Sequence, residues 1–402
     1  MKVLQVNCVY NKGSTGKIVY DLHSRPENAA LQSVVCYGRG QRSRDKQVIK
    51  TCTELYAKAN NLLSRFTGIM YGGCFFSTNR LISIIKRQRP DIVHLHCING
   101  YFVNIYRLIA FLKTHKIKTV LTLHAEFMHT ANCGHALDCE KWKTGCGNCP
   151  RLRQETKSLF WDRTHTSWKR MYKAFEGFDT LTVVSVSPWL MERAKQSPIL
   201  ADKKHTVILN GLDTHVFRPY DTAGLKAAHG ITHQKILFHA TPSFNDDPQN
   251  IKGGHYLLKL AKALEGEPVK LFVAGNYDPA LRVPKNVVLL GRITDQKKLA
   301  QYYAMADATV LTSRRETFSM VVAESLCCGT PVVGFEAGAP EQIALKEYST
   351  FVPFGDVDAL KAAVDDILQQ DIVPSDLSEK ATAFYNRKNM ITKYTEIYHS
   401  II

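Results

Sequence analysis

The sequence predicts an α/β protein built from two tandem doubly wound, Rossmann-like domains facing a cleft, and three observations carry that expectation. The chain has 402 residues with 45% hydrophobic and 22% charged content, ordinary for a soluble globular protein and long enough to favour two domains over one. Short β-branched apolar runs alternate with longer amphipathic stretches, the rhythm of parallel α/β folds. That rhythm restarts after the turn-forming cluster Asn210-Gly211-Leu212-Asp213, with Pro219 shortly beyond it.

In chain order, strands are predicted at Val3 to Val9, Ser33 to Tyr37, Ile92 to His96, Thr119 to His124, Leu181 to Ser185 and Thr206 to Leu209. Helical segments such as Leu81 to Arg89 and Asn104 to His115 lie between them. The stretch from Phe127 to Phe160 breaks the rhythm with Cys, Gly, Lys and Trp, and reads as an insertion between a strand and the next helix. The second half places strands at Ile236 to Ala240, Val269 to Ala274, Val287 to Leu290, Ala308 to Leu311 and Pro331 to Phe335. A tail from Lys380 to Ile402 reads as a helix with Phe384, Met390, Tyr394, Ile397 and Tyr398 at apolar positions. The expected organisation is a first domain over 1–209 with an insertion at 127–160, a second over 210–379, and a helix over 380–402 packing back on the first.

Apolar runs such as Val120 to Leu123 fall far short of the roughly 20 residues that span a bilayer. The start, Met1 to Tyr10, reads as a strand rather than a secretory signal, which places the expected location in the cytoplasm. The net charge of +16 is unevenly divided: residues 1–200 hold 30 Lys and Arg against 13 Asp and Glu, the remainder 22 against 23. An anionic partner for the first half is the expectation, with nucleic acid, an acidic leaflet or a diphosphate-linked substrate as candidates and a solvated basic surface as the plain alternative. Of 11 Cys, four (Cys133, Cys139, Cys146 and Cys149) lie within 17 residues, while the others sit in apolar surroundings. Four thiolates in a short, poorly periodic segment suit a closed tetrahedral zinc site, with His135 able to replace one ligand; free thiols or a redox pair are the alternatives.

The segment from Glu316 to Glu324 sets two carboxylates eight residues apart, after a strand and across a helix start. N–H groups at such a start suit an anion, and the flanking carboxylates can accept from sugar hydroxyls. The continuation Ala323-Glu324-Ser325-Leu326-Cys327-Cys328-Gly329-Thr330-Pro331-Val332-Val333, then Gly338-Ala339-Pro340-Glu341, makes the whole stretch resemble the signature of family 4 glycosyltransferases with the GT-B fold. Asn210 to Asp213, Lys252-Gly253-Gly254, Gly275 and Asp307-Ala308 match the same pattern, so the resemblance covers essentially the entire chain.

The resemblance implies that Lys252 binds the donor diphosphate, Glu316 contacts the transferred sugar and Glu324 holds the ribose, with backbone groups at Phe318, Ser319 and Met320 cradling phosphate and sugar. One departure stands out: no Arg lies between Lys235 and Lys252, where the family pairs its Lys with one. In the first half, Gly13-Ser14-Thr15-Gly16 sits between strand and helix, so Gly13 and Gly16 allow close approach of a ligand; Ile18 after Lys17 rules out a Walker loop. His124 ends a strand where the family often has His-Asp, here followed by Ala125 and Glu126; the resemblance implies a catalytic role, and His94, His96 and His129 are weaker candidates. The Cys-rich insertion, with Trp142 and Gly145-Cys146, is similar to that of colanic-acid-type and related exopolysaccharide and O-antigen enzymes.

The resemblance therefore implies a retaining glycosyltransferase that moves a sugar from a UDP- or GDP-sugar, without a catalytic divalent metal. Its implied acceptor is a polyprenyl-diphosphate oligosaccharide of a growing surface polysaccharide such as capsule or lipopolysaccharide, met at an anionic inner leaflet. The rivals are a basic zinc-bearing nucleic-acid-binding protein and a sugar-nucleotide epimerase on the same fold.

Overall fold

A computed structural model describes residues 1–24 and 31–402. The chain divides into two compact units, Met1–Leu209 with Met390–Ile402, and Asn210–Asn389. The first unit holds strands β1 (Lys2–Asn7), β2 (Gln32–Tyr37), β3 (Val48–Lys50), β4 (Ile92–Leu95), β5 (Lys118–Leu123), β6 (Leu181–Ser185) and β7 (Lys204–Val207). They form one seven-stranded sheet in the order β3-β2-β1-β4-β5-β6-β7, and every pair is parallel. Consecutive residues of β4 and β5 are buried, as a sheet covered by helices on both faces requires, which is why these strands read as unbroken apolar runs. The strand order reverses between β1 and β4, and ligand sites in such sheets form beyond the strand ends at that reversal.

The second unit repeats the plan with β8 (Lys235–Phe244), β9 (Val269–Tyr277), β10 (Val287–Gly291), β11 (Ala308–Leu311), β12 (Val332–Phe335) and β13 (Ser349–Val352). Their order is β10-β9-β8-β11-β12-β13, again all parallel. The edge strands β3 and β13 carry Lys50, Ser349 and Thr350 rather than an apolar run, so periodicity does not reveal them. Strand β8 continues past Ala240 to Phe244 through a register shift between Ala240 and Ser243.

The tail differs from the single helix expected. It forms two helices, Pro374–Tyr385 and Arg387–Ile401, separated by Asn386 in an extended conformation. Asn386 bridges to Leu212, the Leu212 N–H donates to the Tyr385 carbonyl at 2.8 Å, and Arg387 Nη1 donates to Asp213 Oδ2 at 2.7 Å. Only from Met390 onward does the chain belong to the first unit, so residues 380–389 stay with the second and Phe384 is exposed rather than covering a surface. Met390, Ile391, Tyr394 and Tyr398 pack into a core with Val3, Ile18, Leu22, Ile92, Val120 and Val184. No helix among the described residues is long and apolar enough to cross a membrane.

Candidate active site

In the second unit the loop before helix Gly254–Ala263 is sewn to the end of β11. The Arg314 N–H donates to the Ile251 carbonyl at 2.8 Å, and Thr312 Oγ1 donates to the Lys252 carbonyl at 3.2 Å. Gly253 makes this approach possible. Its φ is +67° and a β-carbon there would overlap the Thr312 carbonyl, so no L side chain fits. The result sets Lys252 Nζ 2.7 Å from Glu316 Oε1. Glu316 is itself held by backbone pairing, its N–H on the Ala337 carbonyl at 2.9 Å and its carbonyl accepting from Ala339 N–H at 3.2 Å. Glu341 fixes the facing loop by accepting from Ala337 and Gly338 N–H at 3.1 and 2.8 Å.

Three residues on, Ser319 precedes helix Met320–Cys327 with φ 79° and ψ 93°. A non-glycine residue held there stores about 1–3 kcal/mol, and such strain clusters at ligand sites. Its Oγ is buried without a hydrogen-bond partner, beside the free N–H groups of a helix start. Phe318, buried against Tyr385 with ring centroids 6.4 Å apart, anchors the turn.

Glu324 lies one helical turn further on, where Tyr303 Oη donates to its Oε2 at 3.1 Å. Both line a cavity of about 370 Å³ that also takes in Thr241, Pro242, Gly275, Arg292 and Val321. Sequence reasoning missed Tyr303 and Arg292, since a tyrosine in an amphipathic helix and an arginine after an edge strand carry no local signal. The position of the absent family arginine, just after Ala240, is taken by Thr241 and Pro242, and the cation lining the cavity comes instead from Arg292, past β10. His239 is buried, with Nδ1 2.9 Å from the Val310 carbonyl. Burial foremost, with a smaller contribution from the Lys252 charge and against the pull of that carbonyl, pushes it down to about 4.

In the first unit Gly13 opens helix Gly13–Ser24 and Gly16 is buried in it. The Asn11 N–H folds back onto the Gly16 carbonyl at 2.9 Å, so this turn sits at the carboxyl end of β1. His124 follows β5 at the same end of the sheet, with Nε2 3.2 Å from His96 Nδ1. Behind them His94 bonds Tyr398 Oη at 2.6 Å and Thr122 Oγ1 at 2.7 Å. Desolvation by burial pushes His124 down to about 4 and His94 and His96 well below the usual range, so all three are neutral near pH 7. Glu126, two residues beyond His124, has charged and backbone partners of its own. It is buried, with Arg193 Nε 2.5 Å from its Oε1 and Ala136 N–H donating to Oε2 at 2.8 Å. Burial alone raises it, but the nearby His129 ring and the Arg193 guanidinium override that and hold it at about 2.

Residues 32–216 match the family described as Glycosyltransferase Family 4, and residues 248–384 match Glycosyl transferases group 1. The chain belongs to these glycosyltransferases. Along its whole length it is 26% identical to WcaC of Escherichia coli (strain K12), a proposed colanic acid biosynthesis glycosyl transferase that is likewise covered completely. Sucrose-phosphate synthase from Thermosynechococcus elongatus superposes on 100% of this chain and 99% of its own, with a TM-score of 0.68 at 16% identity. Anabaena HepE in complex with UDP covers 100% of both chains, with a TM-score of 0.65 at 15% identity. These likenesses establish the GT-B fold.

The Cys-rich insertion of this glycosyltransferase corrects one expectation. Cys133, Cys139, Cys146 and Cys149 do line one small cavity, together with Trp142 and Thr164. Yet among the described residues no group of three or more His, Cys, Asp or Glu side chains could hold a metal ion, so the structure does not support the zinc site. Burial pushes the Cys146 thiol up to about 12 and raises Cys133 and Cys149 as well. The insertion has other anchors. Trp142 is fully buried, donates from Nε1 to the Cys139 carbonyl at 2.8 Å and carries the Arg193 guanidinium 5.0 Å from its ring, while Asp162 accepts from Cys149 N–H at 2.6 Å. An aromatic core and ionic ties hold the segment.

Proposed function

We propose that this glycosyltransferase moves a sugar from a UDP-sugar, with retention of anomeric configuration, onto a lipid-linked oligosaccharide of a growing polysaccharide. The observation that carries the reading is the Lys252–Glu316 pair at 2.7 Å beside the strained, unpartnered Ser319. A lysine paired to a carboxylate is poised to exchange that partner for a diphosphate, leaving Glu316 to accept from hydroxyls of the transferred sugar. The Met320 helix start and Ser319 Oγ would take further phosphate oxygens, with the backbone at Phe318 alongside. Glu324, in its cavity with Tyr303, would accept from the ribose hydroxyls. UDP in the HepE complex supports a uridine donor, and the WcaC likeness supports a polysaccharide product.

As the anomeric carbon–oxygen bond breaks, its electron pair stays on the diphosphate, and Lys252 with the helix N–H groups stabilises that charge without calling on a divalent metal. Retention requires the acceptor hydroxyl to form its bond on the face the diphosphate leaves; its proton passes to a phosphate oxygen. His124, neutral near pH 7, is read as a catalytic residue that donates or accepts one hydrogen bond, and Gly13 and Gly16 as giving a ligand close access to the backbone. The acceptor is read as polyprenyl-diphosphate-linked and met at an anionic membrane face, which suits the basic first half.

Mass spectrometry of donor hydrolysis and transfer across a panel of UDP- and GDP-sugars, comparing wild type with Glu316→Ala, tests the site. The substitution is expected to lower turnover by about 100-fold. Unchanged turnover would remove Glu316 from the reaction.

A further inference from the structure

The first unit carries an exposed aromatic and aliphatic surface that its core does not use. On helix Glu54–Thr67, Leu55, Leu62 and Phe66 are spaced to share one face. That face meets solvent: Leu55 is 80% and Phe66 47% exposed, whereas Ala57 and Ser64 are buried. Two other segments extend it. Phe76, 79% exposed, lies against Tyr56 with ring centroids 6.0 Å apart, and its N–H donates to Tyr56 Oη at 3.3 Å. Phe160 packs on Phe66 at 6.0 Å, and its segment is tied down by the Leu159 N–H on the Arg65 carbonyl at 2.9 Å. Phe160 and the adjacent Trp161 are 67% and 58% exposed. Six large apolar side chains from three segments thus meet solvent on and beside this helix, two of the segments tied to it through the Tyr56–Phe76 and Phe66–Phe160 contacts, a display that soluble proteins seldom make without using it.

Charge selects the partner. Residues 54–89 and 151–163, which supply the patch, hold ten Lys and Arg against three Asp and Glu. One of those acids, Glu54, already pairs with Arg39 at 2.7 Å and Lys50 at 3.3 Å. Lys58, Arg80, Lys157 and Arg163 are exposed. Apolar and aromatic tips with exposed cations in the same segments fit an anionic bilayer, where rings settle at headgroup depth and the cations meet phosphates. A nucleic acid would satisfy the charge but leave Leu55, Leu62 and Phe76 in water, and a second copy of the chain would bring like charge against like.

We propose that this surface docks the protein on an anionic phospholipid bilayer. That the docking serves a lipid-linked acceptor rests on the function proposed above; the docking itself rests on the surface. Wild type and the double variant Leu55→Ser, Phe76→Ser are sedimented with phosphatidylcholine vesicles, with and without about 30% phosphatidylglycerol. Both replaced side chains are exposed, and an unchanged urea midpoint checks that the fold is kept. Wild type is expected to pellet with anionic vesicles and at least about tenfold more weakly with phosphatidylcholine alone, and the double variant to lose about tenfold on anionic vesicles. Three results overturn the proposal: no binding by wild type, equal binding to both vesicles, or undiminished binding by the variant. A concentration-dependent dimer that the double substitution abolishes, with no vesicle binding, would also overturn it and assign the patch to a second copy. Donor hydrolysis measured in parallel without vesicles separates the two readings: lost docking with intact hydrolysis leaves the proposed function standing, and docking without hydrolysis in wild type leaves this surface standing alone.

Discussion

Lys252 and Glu316 stand 64 residues apart in sequence and 2.7 Å apart in space, and what joins them is a single glycine. Gly253 lets the backbone pass against Thr312, so the pair depends on a missing β-carbon as much as on its charges. Ser319 shows the opposite device, a residue kept where glycine would be more comfortable. Ser319→Gly removes the strain and the buried unsatisfied hydroxyl, and is expected to stabilise the second unit by about 1 kcal/mol. If the Oγ serves the donor, the same change weakens UDP binding by about tenfold, as a lost hydrogen bond to a charged group would. Thermal unfolding and UDP titration by calorimetry check both halves; a variant neither stabler nor weaker in binding would show that the strain serves no ligand. Glu316 and Glu324 were legible as a pair because they lie eight residues apart across a helix start, and Lys252 only through the resemblance of Lys252-Gly253-Gly254 to a family pattern; what the three do belongs to the function proposed above. Arg292, Tyr303 and His239 were not, since each reaches its place from a different strand end or helix.

At the scale of elements, the last helix is the clearest gain from three dimensions. Tyr398 is 304 residues from His94, yet their side chains meet at 2.6 Å within the buried first-unit core. Tyr398→Phe leaves His94 Nδ1 without that partner, and the expected cost is about 1–3 kcal/mol in urea unfolding. A variant as stable as wild type would show that the hydroxyl contributes nothing net. The sequence marked Met390, Tyr394 and Tyr398 as an apolar face in search of a surface, which was correct. It placed the crossing at 380 because Phe384 was counted on the same apolar face, whereas the extended backbone of Asn386 and its pairing with Leu212 break the helix. The insertion misled in another way. Four cysteines within 17 residues read as ligands, but the segment is organised by buried Trp142 and the Glu126–Arg193 pair, which proximity in sequence does not reveal.

For the molecule as a whole, buried neutral histidines tie stability to pH. Burial holds His124 and His239 down to about 4 and lowers His94 and His96 well below the usual range. In the unfolded chain each takes a proton near pH 6.5, so between about 6.5 and 4 the unfolded state binds more protons and stability falls as pH falls, by up to roughly 1.4 kcal/mol per pH unit for each such group. Glu54 and Glu126, held at about 2, extend the loss below about pH 4.5 in the same direction. Urea midpoints should therefore drop steadily from pH 7 to pH 4; a flat profile would mean that these histidines are protonated in the folded state.

The sequence by itself determined the two-domain α/β plan and most of its strands, and it singled out the segment from Glu316 to Glu324. Parallel strands covered on both faces must be written as apolar runs, and two carboxylates flanking a helix start are local in the chain. Only the tertiary structure decided where the last helix crosses, that Lys252 and Glu316 neutralise each other, that the four cysteines form no metal group, and that Leu55, Phe76 and Trp161 meet solvent. Each of those is a matter of which distant surfaces come together, and periodicity records that a face is apolar without recording what, if anything, covers it.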